Sequence, residues 1–132
     1  MNAPSNHSIL LVEENVAVAA DLERILKEAG CIVIGPAGSV ADALVQIVQR
    51  DIEAAVLNVK VGKESTKPVL DVLAFSRVPF VFVSSLSRRL VPFKYRNRPF
   101  VSWPCPDDEI LQKLVGILPG RGPSADDRSP SV

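Results

Sequence analysis

Four groups of residues in this chain could do chemistry together: the carboxylate pair Glu13 and Glu14, the amide Asn58 with Lys60 two residues on, the hydroxyl pair Ser84 and Ser85, and Trp103 with Pro104. Two adjacent carboxylates can hold a cation, or they can be a solvated cap on a strand. Hydroxyls can contact an anion, or they can be ordinary turn residues. An amide is neutral at every physiological pH and its oxygen is a poor nucleophile, so Asn58 cannot serve as an anionic attacking group. Trp103 adds one neutral N–H donor and a large ring. The sequence has no GxGxxG, no P-loop and no nucleophile beside a base, which leaves a flavodoxin-like or nucleotide-using enzyme as a distant alternative.

These groups are spaced by apolar runs that place each at the end of a strand. Ile9 to Val12 is wholly apolar and ends in Glu13, as does a strand buried on both faces. Asn15 can cap a helix in which Val16, Ala19, Ala20, Ile25 and Leu26 share a side, and Gly30 stops it. A second strand starts at Cys31. Ser39 caps a second helix, where Val40, Ala43, Leu44, Ile47 and Val48 form an apolar face. A third strand, Ala54 to Leu57, ends at Asn58, and a helix starting near Pro68 follows. Phe80 to Val83 is a fourth strand, ending in Ser84 and Ser85. From Leu86 to Arg98, Pro92 and many charges predict helix that is short or distorted. Phe100 to Ser102 is a fifth strand ahead of Trp103, and Asp107, Asp108 and Glu109 suit the first turn of a last helix lined by Leu111, Leu114, Val115 and Leu118.

Apolar strands alternating with helices predict an α/β fold: a doubly wound, flavodoxin-like (βα)5 sandwich around a five-stranded parallel sheet in the order 2-1-3-4-5. Its site lies outside the carboxyl ends of the strands. The 132 residues suffice for one domain, expected over residues 9–118 between a flexible lead, residues 1–8, and a disordered tail, residues 119–132. Fifteen basic residues balance fifteen acidic ones, so no global field favours nucleic acid or a membrane surface. Cys31 and Cys105 have no metal-ligand spacing and are expected as idle thiols, and His7 is expected to be solvated. With no signal or membrane-spanning segment, a cytoplasmic protein is expected.

Over Ile9 to Leu118 the chain resembles the receiver domains of two-component response regulators. The motifs that carry this are Ile-Leu-Leu-Val-Glu-Glu-Asn, Ala-Ala-Val-Leu-Asn-Val-Lys, Val-Pro-Phe-Val-Phe-Val-Ser-Ser and Ser-Trp-Pro. Together with Val-Ile-Gly-Pro-Ala-Gly-Ser, they are especially similar to stand-alone receivers that accompany HWE-type histidine kinases. The resemblance implies a magnesium site made by the acidic pair and an acceptor aspartate, with a hydroxyl and a lysine contacting the phosphoryl group. Glu13, Glu14 and Ser84 keep their chemical kind at these positions. Asn58 replaces the acceptor and Trp103 the lysine, whereas Pro104 retains the proline, for which a cis peptide is expected.

The losses imply a degenerate receiver that is not phosphorylated, is not an enzyme and takes no cofactor, with magnesium weak or absent at the remnant Glu13 and Glu14. Trp103 is expected to fill or lid the pocket, and Lys60 to reach the glutamates as a replacement cation or to be a solvated loop lysine. Arg88, Arg89, Lys94, Tyr95, Arg96, Arg98 and Phe100 map onto the family's usual output face. They read either as a solvated face or as a docking site. Implied partners are a histidine kinase, a phosphotransfer or other signalling protein, or a second copy as a homodimer, and neither nucleic acid nor membrane. Within signalling, the alternative is an unconventional switch modified at Ser84, Ser85 or a glutamate, or gated by a small ligand.

Overall fold

Residues whose side chains are apolar on both sides of an extended backbone can be buried only in the middle of a layered structure, and three such runs, Ile9 to Val12, Ala54 to Leu57 and Phe80 to Val83, form the heart of this one. The computed structural model describes residues 4–118. Strands β1 (Ser8–Val12), β2 (Ile32–Ala37) and β3 (Ala54–Leu57) are joined through helices α1 (Val16–Glu28) and α2 (Val40–Gln49). A short hairpin, β4 (Lys60–Val61) and β5 (Glu64–Ser65), leads to α3 (Lys67–Phe75), then β6 (Phe80–Ser84), β7 (Phe100–Ser102) and α4 (Asp107–Ile117). The main sheet is parallel throughout, in the order β2-β1-β3-β6-β7. Its five strands therefore stand in the expected 2-1-3-4-5 order, and among the described residues the small hairpin is the one addition to the strand plan.

Two apolar layers flank the sheet. Leu22, Ile25 and Leu26 of α1 join Ile110 and Leu114 of α4 on one face. Val40 and Ala43 of α2, Val69, Leu70 and Leu73 of α3, and Val91 and Tyr95 cover the other. The facing of α1 differs from the sequence expectation, because Leu22 takes the buried place while Val16 is 83% exposed. In α2, Val48 is likewise exposed, so the apolar stripe is narrower than its spacing suggests.

The lead is a further correction. Ser8 already belongs to β1, and the Asn6 N–H donates to the Gly30 carbonyl. Gly30 has φ +89, and a Cβ there would lie 2.7 Å from Ser5 Cβ, so only glycine lets the lead lie this close. His7 is buried, not solvated, because its ring meets Glu53 at 3.1 Å while Glu53 also accepts from the Ser8 N–H. Residues 4–8 are thus held to the domain. The expected tail, residues 119–132, lies outside the described residues. Cys31 is buried, and burial pushes its thiol up to about 11.

The stretch between β6 and β7 contains no α-helix. Two 3-10 turns, Arg88–Leu90 and Phe93–Tyr95, take its place, as Pro92 and the run of charges predict. The Arg96 guanidinium donates to the Val91 and Arg89 carbonyls, and Arg88 donates to the Arg96 carbonyl. Side chains thereby satisfy carbonyls that a helix would have satisfied internally. Tyr95 is buried and its hydroxyl donates to Asp71, which Lys67 also holds. It anchors the segment and does not face a partner.

Burial, then the hydrogen bond to Asp71, pushes the Tyr95 hydroxyl from 10.0 up to about 12. Because the folded value is raised, its contribution is complete below pH 10 and is lost as the pH rises toward 12. Tyr95→Phe is expected to lower stability by about 1–2 kcal/mol at pH 7. Urea unfolding from pH 9 to 12 should show a steeper alkaline decline in the original chain than in the variant, and parallel declines would count against this anchor.

Candidate functional site

The strands β1, β3 and β6 end side by side, in register Val12 with Leu57 and Leu57 with Phe82. The residues that follow these strands must therefore converge above the sheet. They surround a cavity of about 250 Å³, whose walls include Glu13, Glu14, Asn58, Lys60, Ser84 and Trp103. Ser85 also lines it, whereas Pro104 does not. Gly62, at φ +65 in the β4–β5 turn, brings the hairpin to the rim beside Glu14.

At the centre is a hydrogen-bonded chain running across three strand ends. Glu13 is 5% exposed, and its two carboxylate oxygens accept from the Asn15 N–H and from Asn58 Nδ2, each at 3.0 Å. Asn58 Oδ1 accepts from Ser84 Oγ and from the Val59 N–H, both at 2.7 Å. Ser84 Oγ in turn accepts from the Leu86 N–H. These partners fix which end of the amide faces which neighbour, since rotation would aim the amide oxygen at a carboxylate and its NH2 at two donors. Thr66 adds support below, donating to the Asn58 and Val59 carbonyls and tying the end of β3 to the start of α3.

The arrangement does not fit a magnesium ion. That cation needs an octahedron of oxygens, and here an amide donor occupies one oxygen of the buried carboxylate. Among the described residues, no three His, Cys, Asp or Glu side chains group as metal ligands. Lys60 is exposed at the pocket wall and forms no ion pair with Glu13 or Glu14, and Asn58 already engages Glu13.

Trp103 stands at the wall opposite Glu13 and Glu14, half-buried against the α1 and α4 layer. Its backbone N–H donates to the Ser84 carbonyl, continuing the β6–β7 ladder. The Trp103–Pro104 peptide is cis, as expected, and so is Gly35–Pro36, which the sequence reading did not anticipate. The basic stretch lies outside this pocket: Arg88, Arg89, Lys94 and Arg96 are exposed, and Arg98 and Phe100 are half-buried. The Asn58 relay to Ser84 was not foreseen either. The Asn58–Ser84 spacing at two strand ends was the available signal for it.

No protein-family model matches the sequence, and none of the curated proteins does. Solved structures do. The response regulator PhyR from Brucella abortus superposes with a TM-score of 0.75 at 20% identity over 86% of this chain. This chain spans 48% of that protein's length. A response regulator receiver protein from Sinorhizobium medicae WSM419 gives a TM-score of 0.74 at 17% identity, covering 89% of this chain and 98% of its own. SdrG from Sphingomonas melonis Fr1 gives 0.73 at 31% identity, again covering 89% of this chain and 98% of its own. With that identity across nearly the whole of SdrG, and with the strand order and strand-end pocket in place, the chain belongs to the receiver domains of response regulators.

Proposed function

We propose that this receiver domain does not accept a phosphoryl group and acts by binding other proteins in a two-component or phosphorelay pathway. The observation that carries the reading is Asn58, just past the end of β3: its amide oxygen is held by Ser84 and its nitrogen by Glu13, at the position where the resemblance implies the acceptor. An amide oxygen so engaged has neither the charge nor a free lone-pair direction for attack on phosphorus. Trp103 supplies no cation to receive the phosphoryl charge. Magnesium binding is weak for the reason given above, and the protein works without a cofactor. It operates in the cytoplasm beside a histidine kinase, a phosphotransfer protein or its own copy.

Acetyl phosphate with magnesium, followed by intact-mass measurement, tests this. The expected spectrum shows only the unmodified chain. A stoichiometric phosphate adduct would end the proposal.

A further inference from the structure

Two arginines line a second cavity, at the opposite end of the sheet from Glu13, Asn58 and Ser84. It measures about 290 Å³, and its walls are Ala74, Arg77, Val78, Pro79 and Arg98. The cavity lies where β6 and β7 begin: the Pro79 carbonyl, just before β6, accepts from the Ala55 N–H, and the Pro99 carbonyl, just before β7, accepts from the Phe82 N–H. The five residues of β6 therefore separate it from Ser84, by roughly 16 Å at about 3.3 Å per residue. None of its walls is acidic, and no acidic residue occurs anywhere from Val72 to Pro106.

Arg77 holds its place against the preference of the backbone. Helix α3 ends in a closing turn in which the Arg77 N–H donates to the Ala74 carbonyl and the Val78 N–H to the Leu73 carbonyl. That pair of bonds needs a left-handed residue where Arg77 stands, and glycine is the usual occupant. Arg77 has φ +60. A side chain is thus kept there at a steric cost that glycine would avoid, and such positions collect at functional sites. Arg98 is oriented by aromatic rings, with its guanidinium over Phe80 at 4.4 Å and over Tyr95 at 5.5 Å. Ring faces position a guanidinium without using its N–H donors. Among the described residues neither arginine forms an ion pair or donates a side-chain hydrogen bond, whereas Arg24, Lys27 and Lys67 are all paired.

We propose that this cavity binds the phosphoryl group of a small phosphomonoester between the Arg77 and Arg98 guanidiniums. Two cations on one cavity match a group that carries about two negative charges near neutral pH. A monocarboxylate would leave one of them unneutralised. The planar forks of arginine suit phosphoryl oxygens in pairs, which a point-charge ammonium does not. The cavity is at the small end of those that take organic ligands, so a short phosphorylated molecule fits it better than a nucleotide does. Ala74, Val78 and Pro79 offer its carbon body an apolar wall. Binding here is non-covalent and does not involve residue 58, so it stands apart from whether Asn58 accepts phosphate.

The test is a titration of the full isotope-labelled chain with glycerol phosphate at low salt, followed by heteronuclear NMR. Saturable shifts are expected at the Arg77, Val78 and Arg98 amides and not at Glu14, Asn58 or Ser84. Arg77→Gly is the decisive variant, because it removes the guanidinium while placing at φ +60 the residue that tolerates it. Its Tm should hold or rise while affinity falls at least about tenfold. Arg98→Gln is expected to weaken binding by a similar factor, and Arg77→Lys, which keeps the charge and loses the fork, several-fold. Added salt should weaken binding in the original chain. Absence of saturable shifts in the millimolar range would overturn the proposal. So would shifts confined to Glu14 and Ser84, which would put the phosphate in the strand-end pocket, or an Arg77→Gly chain that binds like the original. Lactate binding as tightly as glycerol phosphate would make this a carboxylate site and overturn the assignment as well.

Discussion

Asn58→Asp is expected to destabilise the domain in metal-free buffer at neutral pH and to make that loss recoverable with magnesium. In the structure Asn58 Nδ2 donates to Glu13 Oε1 at 3.0 Å, and Glu13 is 5% exposed. An aspartate there would put a second carboxylate against the first where water screens poorly, and it would remove a donor that the buried oxygen uses. The cost should be about 2–3 kcal/mol. For a domain of this size that is a fall of about 10 °C in Tm. Millimolar magnesium should restore part of it, because a ligand that binds only the folded state stabilises by mass action. Acid should narrow the gap too, since protonation of the introduced carboxyl removes the repulsion. Thermal unfolding with EDTA, with magnesium and at pH 4 to 8 measures all three effects. A variant that melts like the original chain in EDTA would show that Glu13 and residue 58 are not in contact.

The second large effect is a gain of chemistry. Asn58→Asp combined with Trp103→Lys should convert a chain that acetyl phosphate leaves unmodified into one carrying close to one phosphoryl group in the presence of magnesium. The aspartate carboxylate would form a bond to phosphorus as the bond to the acetyl oxygen breaks, with acetate leaving. The lysine would supply a positive charge for the phosphoryl oxygens. Ser84 already sits 2.7 Å from the side-chain oxygen of residue 58. Trp103→Lys alone should give no adduct, and EDTA should abolish the adduct of the double variant, both read by intact mass. A double variant that stays unmodified would mean that the pocket has drifted beyond these two positions.

The sheet was legible because each strand is an apolar run closed by polar residues, and a chain with such runs between amphipathic helices has few ways to bury them. Asn15 and Ser39 were readable as caps for the same local reason, and their side chains accept from the Val18 and Asp42 N–H groups. The pocket location followed from the strand ends. Its wiring did not, since the Asn58 bonds to Glu13 and Ser84 join residues 45 and 26 positions apart and depend on register. His7 was misread because its burial depends on Glu53, also distant in sequence. Tyr95 looked like an exposed aromatic among charges, and only the turn that follows Pro92 swings its ring inward to meet Phe80 at 5.5 Å. The β4–β5 hairpin has two-residue strands, too short to leave a periodic signal.

The two border strands of the sheet differ from the inner ones in a way that bears on how copies can meet. β7 is only three residues long, and β2 contains Pro36, which has no N–H to offer, while its pairing with β1 shifts register between Leu10 and Val12. A long, regular row of unpaired backbone groups is what lets one sheet add strands from another molecule, and neither border provides it. Contact between chains is therefore left to side chains on the faces, and the sheet is protected against growing into a continuous ribbon.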